Sequence, residues 1–227
     1  MSFPTEIKTA VRGAAKSLGH SLDALEWPNG ETNSPPHEVN ALVHLLIFLT
    51  QTDPTYRFYM EGKISTRGRA DVIVSNGVIS LAIEAKTFGN INERSNSVID
   101  DLKRLQDFKP AYFTDDGSRE ISDWWGGSQQ RWGMVLITSF RGDEVRDAWV
   151  TDDEYVARGK MMRYQSRSDH PCPEETGFMQ LRSTSGLCRF AEPVELGARW
   201  SGSGTGAGHL LCGALSLPDS KGVAYQS

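Results

Sequence analysis

Asp71, Glu84 and Lys86 lie within one stretch, RADVIVSNGVISLAIEAK, running from Arg69 to Lys86. Two carboxylates supply hard oxygen atoms of the kind that suit Mg²⁺, which needs only one or two carboxylates and keeps several waters. An amine on the same face completes a hydrolytic set, because it can orient or deprotonate a water or stabilise a charged transition state. Beside two carboxylates that amine stays protonated until a metal's charge shifts its pKa. The bland alternative is a cross-strand ion pair on a solvated sheet face.

The elements that must position these groups can be read from the same stretch. It reads as two strands joined at Asn76-Gly77, a strong hairpin signal. With those two residues as the loop, Ser75 faces Val78, Asp71 faces Ala82 and Arg69 faces Glu84. Side chains alternate along a strand, so Val72, Val74, Ile79, Leu81, Ile83 and Ala85 share one apolar face. Asp71, Glu84 and Lys86 share the other. Asp71 and Glu84 are then diagonal neighbours, with backbones about 7–8 Å apart. Burying three ionisable groups on a helix-covered sheet face is costly unless they are paired or used.

Around the hairpin the periodicity predicts a helix from Thr5 to about Leu25, with Ile7, Val11, Ala14, Ala15, Leu18 and Leu22 inward. A Pro-rich linker follows, then Ser34 as N-cap and Pro35 at the start of a second helix reaching about Thr50. That helix is apolar on several faces, as expected of a helix buried in a core. Tyr56 to Ile64 reads as a first strand. Gly89 to Asn96 reads as a polar loop, and Ser97 to Lys109 as an amphipathic helix with Val98, Ile99, Leu102, Leu105 and Phe108 inward. Ala111 to Arg131 is a loop-like insertion. Met134 to Phe140 suits a strand buried on both faces. Gly142 to Arg158 reads as one helix. Beyond it, Met161 to Gly177 is polar and turn-rich. Short strands are expected near Phe178–Leu181, Leu187–Ala191 and Leu210–Leu217, with a Gly/Ser-rich run at Ser201–Gly208. This order predicts an α/β core over 1–160, a mixed sheet flanked by helices on both faces, and a C-terminal extension over 161–227 packed on it.

An Asp on the second strand and Glu-x-Lys on the third, in this element order, resembles the PD-(D/E)XK nuclease superfamily, the restriction endonuclease-like fold. The matching residues are Asp71, Glu84 and Lys86, with Ala70 where the family's half-motif has proline. The resemblance covers roughly Glu38 to Phe140. It implies a Mg²⁺- or Mn²⁺-dependent nuclease, with DNA as the substrate, in restriction, repair or phage defence. It further implies that the backbone carbonyl of Ala85 joins Asp71 and Glu84 as a metal ligand. An acidic residue on the first core helix, by position Glu38, would hold or orient the metal. Glu38 also has an ordinary reading, a carboxylate favoured by the helix dipole, and Glu61 on the first strand is the alternative extra acid. Cutting both strands of a duplex points to a homodimer. A catalytically inactive module that keeps the fold and binds nucleic acid or protein is the competing class, and a structural subunit of a larger complex is a third.

Other residues carry weaker signals. Lys103, Arg104 and Gln106 on the following helix either face the site or, as the preferred reading, form a solvated helix face. Arg67 and Arg69 approach from the open end of the hairpin, as phosphate-positioning cations or as ordinary ion-pair partners. Trp124 and Trp125 suit base stacking or, more simply, loop anchoring. His44 lies inside an apolar helix and reads as a satisfied core histidine. His170, Cys172 and Cys188 lack the paired spacing of a zinc site.

Composition bounds the rest. With 227 residues and 38% hydrophobic residues, the chain can bury one substantial core. A formal net charge of −5 argues against a tight nonspecific nucleic-acid binder. Three widely spaced cysteines fit a reducing compartment better than a disulfide framework. No apolar stretch approaches a membrane span, so a cytoplasmic protein with no membrane partner is expected.

Overall fold

A computed structural model describes residues 2–24, 38–63, 69–88, 91–106, 127–166, 176–195 and 208–218; for residues 23, 38, 61–63, 91–96, 165 and 166 it describes only the backbone. The chain folds as α/β, with a six-stranded mixed sheet and helices on both of its faces. The strands are β1 (Arg57–Lys63), β2 (Arg69–Ser75), β3 (Ile79–Phe88), β4 (Gln130–Ser139), β5 (Cys188–Val194) and β6 (Gly208–Ser216). Their spatial order is β1-β2-β3-β4-β6-β5. Among the described strands only β3 and β4 run parallel. They are joined across α3 (Ile91–Gln106), the crossover a parallel pair requires. Strands β5 and β6 belong to this same sheet, with β6 pairing antiparallel to β4.

Helices α1 (Thr5–Ala24) and α2 (Glu38–Thr52) cover one face. The stripe Ile7, Val11, Ala14, Ala15, Leu18 and Leu22 is buried there with Leu42, Leu45 and Leu49. All six residues expected on the apolar side of the hairpin join that cluster: Val72, Val74, Ile79, Leu81, Ile83 and Ala85. Helix α2 departs from the expectation of all-round burial. Val39, Val43 and Ile47, spaced four apart, form an exposed stripe. Helix α2 is therefore a covering layer with one face on the sheet, and its composition alone hides this. Ser34 and Pro35 lie outside the described residues.

The other face is covered by α3, α4 (Asp143–Val150) and α6 (Gly177–Arg182), with α5 (Glu154–Ser166) packed on α4. Four expectations change here. The single helix from Gly142 is broken at Thr151–Asp153. Thr151 turns extended, and Asp153 Oδ1 accepts the Val156 amide at 3.0 Å, starting α5. Asp at an N-cap outcompetes helix continuation. The expected strand at Phe178–Leu181 is helix α6, capped by Thr176, whose hydroxyl accepts the Met179 amide at 3.2 Å. A short apolar run does not distinguish strand from helix, and the cap decides it. The turn-rich reading from Met161 gives way to helix as far as Ser166. Helix α3 starts at Ile91 inside the expected polar loop, because a polar first turn shows no apolar period.

The hairpin register also differs, by two residues. Ser75 pairs with Ser80 and Val72 with Ile83. Asn76 N–H donates to the Ile79 carbonyl at 3.2 Å, which leaves Gly77 and Val78 as the loop. The Asn76 side-chain carbonyl accepts from the Val78 and Ile79 amides, at 3.0 and 2.8 Å, and its amide donates to Asp53. Gly77 takes φ +83° at the first loop position, the glycine-first pattern of tight hairpins. Below the turn, Ser80 Oγ donates to Ser75 Oγ at 2.8 Å and lies 2.5 Å from Ser128 Oγ, pinning the pair. A shift of two keeps every side chain on its expected face.

Candidate active site

The observed register changes how Asp71 and Glu84 face each other. Continued past Val72–Ile83, it sets Asp71 directly opposite Glu84 instead of diagonal to it. Arg69 is not opposite Glu84. It is exposed and pairs through its backbone with Lys63 of β1.

The β2–β3 ladder ends at Val72–Ile83. In a continued ladder Ala85 would exchange both backbone bonds with Ala70. Instead the Ala85 N–H donates to Asp71 Oδ2 at 2.7 Å. The strands thus part where the two acids stand, and the Asp71 carboxylate takes the place of a backbone acceptor. The N–H and C=O of one strand residue point to the same edge, so the Ala85 carbonyl faces this gap as well.

Glu84 is buried, with 2% of its side chain exposed. Arg104 Nη2 of α3 bonds its Oε1, and Lys86 Nζ lies 3.7 Å from its Oε2. Asp101, also on α3, ties both cations together: its Oδ1 is 2.8 Å from Arg104 Nη2 and its Oδ2 is 3.3 Å from Lys86 Nζ. Three carboxylates and two cations therefore meet between β2, β3 and α3. Burial first, then Asp101 and Asp71, push the Glu84 pKa up to about 7, against the opposing pull of Arg104. Burial works to lower the Arg104 pKa, but Glu84, Asp101 and Asp71 together raise it.

Of the residues singled out from sequence, Asp71, Ala85, Glu84 and Lys86 are brought together. Arg104 joins them, which corrects its reading as part of a solvated helix face. Lys103 keeps that reading: it is exposed and lies 3.9 Å from Asp100, and Gln106 is exposed too. Glu38 opens α2, on the opposite face of the sheet, and its side chain lies outside the described residues. Glu61 stands between the pairs Met60–Val72 and Gly62–Ala70, so its backbone is opposite Asp71; its side chain is also outside the described residues. Arg67, Trp124, Trp125, His170 and Cys172 are outside them altogether. His44 is half-buried, with its Nδ1 3.0 Å from Ser17 Oγ, and burial lowers its pKa.

Sequence reasoning missed Asp101. Its signal was present: Val98, Asp101, Leu102 and Leu105 share one helix face, so an acid stood inside the buried stripe. Two strands over from this centre, buried His209 has its Nε2 3.4 Å from Asp143 Oδ1, where β4 ends and β6 begins.

Among the described residues no three Asp, Glu, His or Cys side chains are placed to hold a metal by themselves. Two opposed carboxylates beside a backbone carbonyl turned to a gap nevertheless fit Mg²⁺, which is seldom caged by protein alone and completes its shell with water and substrate phosphate. No described helix is long and apolar enough to cross a membrane. Comparison with protein-family models, with curated proteins and with solved structures found no match.

Proposed function

We propose that the chain is a divalent-metal-dependent nuclease of the restriction endonuclease-like kind, acting on DNA, with its active site on the α3 face of the hairpin. The observation that carries this reading is the parting of β2 and β3 at Asp71 and Glu84, with the Ala85 amide held by Asp71 and Lys86 on the same face. Asp71 and Glu84 would hold Mg²⁺ or Mn²⁺, with the Ala85 carbonyl as a third oxygen. The bound metal would supply charge for the attacked phosphate and a water acidic enough to be used. Lys86 would orient that water or take its proton, and Asp101, 3.3 Å from its Nζ, would hold the lysine in place. Helix α3 shields the centre from bulk water, so each of these charges acts at more than its aqueous strength.

The competing reading is a binding module that has kept the fold without the chemistry. One observation favours it: Glu84 already has two cationic partners, Arg104 and Lys86. Purified protein incubated with plasmid and with single-stranded DNA separates the two. Cleavage that requires Mg²⁺ or Mn²⁺ and slows at least about a hundredfold in Lys86→Ala supports the nuclease. Equal cleavage by wild type and Lys86→Ala places any activity elsewhere, and no cleavage by either favours the module.

A further inference from the structure

Arg104 holds two carboxylates with a single nitrogen. Its Nη2 bonds Glu84 Oε1 and also lies 2.8 Å from Asp101 Oδ1. Its Nε is buried without a hydrogen-bond partner, while 36% of the side chain is exposed. A guanidinium settled on one carboxylate usually makes two parallel bonds. Arg104 makes no such fork with either acid and leaves donors unused. Its two partners also differ in kind. Asp101 stands one turn back on the same helix and is held in turn by Lys86, whereas Glu84 is the acid with a prospective second claimant.

We propose that Arg104 is a displaceable counter-ion: it neutralises Glu84 while no divalent cation is bound, and pivots on Asp101 to a backbone phosphate of the nucleic acid once one is. The inference rests on the metal-dependent reading above. Its logic is electrostatic. A divalent ion on Glu84 and a guanidinium bonded to the same carboxylate repel each other at short range. The ion must therefore compete with Arg104 to bind. Once released, Arg104 keeps Asp101 as its partner, so it is neither unpaired nor free to leave the site. With Glu84 ionised, Asp71, Glu84, Asp101, Lys86 and Arg104 together carry one net negative charge. A divalent ion turns that into one net positive charge, the complement of a phosphodiester. The planar donor set of arginine matches phosphate oxygens.

Two measurements on the full chain test this. The first is Mn²⁺ binding by calorimetry; the second is binding of a fluorescent DNA oligonucleotide in Ca²⁺, to suppress cleavage. In Arg104→Gln and in Arg104→Met the competitor is gone. Mn²⁺ should bind about tenfold more tightly than to wild type, while DNA binding weakens about tenfold. Arg104→Lys retains a charge beside Glu84 and should bind Mn²⁺ within about threefold of wild type. Opposite movement of the two affinities distinguishes a counter-ion from a structural brace, whose loss would weaken both. Two neutral variants are used so that, if one fails to fold, the other carries the test. Unchanged or weaker Mn²⁺ binding in a folded neutral variant overturns the inference while leaving the nuclease reading in place. If wild type binds no Mn²⁺ that depends on Asp71, both fall together.

Discussion

On one face of the sheet, β3 presents Ile79, Leu81, Ile83 and Ala85 to α1 and α2. On the other, the residues one step along the same strand, Ser80, Ala82, Glu84 and Lys86, stand toward Ser128 and α3. The first face is held mainly by burial, at about 25 cal/mol per Å² of apolar surface removed from water. The second buries Glu84 almost completely and surrounds it with charges. Buried ion networks seldom outperform apolar side chains of the same volume, because desolvation consumes most of the attraction. A sheet selected only for stability would have the same kind of residue on both sides. In the proposed function the α3 face is the working one and the α1/α2 face its support.

Mutations should separate the two faces. The largest effect on stability is expected on the support. Leu45→Ala, at a fully buried position of α2, should lose about 3 kcal/mol in urea denaturation. Cleavage per folded molecule should be unchanged. A matched loss of activity in the folded fraction would mean that the faces are not independent.

A smaller effect, of distinct sign, is expected on the charged face. The Glu84 pKa of about 7 lies above its ordinary value of 4.5. The folded protein therefore holds a proton that the unfolded chain releases between those values. The stability this contributes is fully present below about pH 4.5 and is lost as pH rises through about 7. Wild type should lose on the order of 2 kcal/mol between pH 5 and pH 8 in denaturant midpoint measurements without metal. Glu84→Gln should lack that part of the slope. An identical pH profile in both would contradict the assignment of the shift to burial and to Asp101 and Asp71.

The smallest effect belongs to the turn that aligns the faces. A Cβ at Gly77 meets no neighbour, so the strain of its positive φ is the whole penalty. Gly77→Ala should cost about 1 kcal/mol. The Ser75–Ser80 pair should keep the register, leaving metal-dependent cleavage intact. Loss of cleavage at this modest cost would show that the turn, and not the hydroxyl pair, sets the position of Asp71.

Much of this contrast was legible in the sequence, because strand alternation is local. It sorted the hairpin into an apolar and a charged side whatever the register. The register itself depended on which residues form the loop. Asn76 uses its side chain to cap the turn from the last paired position, a choice that involves Asp53 and is invisible in the Asn-Gly dipeptide. Arg104 was misread because helix periodicity reports the side a residue faces and not how far a long side chain can reach. Asp101 was missed because an acid in an apolar stripe draws no attention until Lys86 and Arg104 are seen around it. Two of the three expected C-terminal strands were located, near Leu187–Ala191 and Leu210–Leu217, but nothing local in them says that β6 enters the sheet beside β4.

In the proposed function Asp71 and Glu84 jointly hold a divalent metal on the α3 face. Anomalous diffraction from crystals grown with Mn²⁺ tests it most directly. One strong peak is expected within coordination distance of both carboxylates and of the Ala85 carbonyl, with Arg104 withdrawn from Glu84. A map with no peak there, with Arg104 still bonded to Glu84 at saturating Mn²⁺, would contradict it.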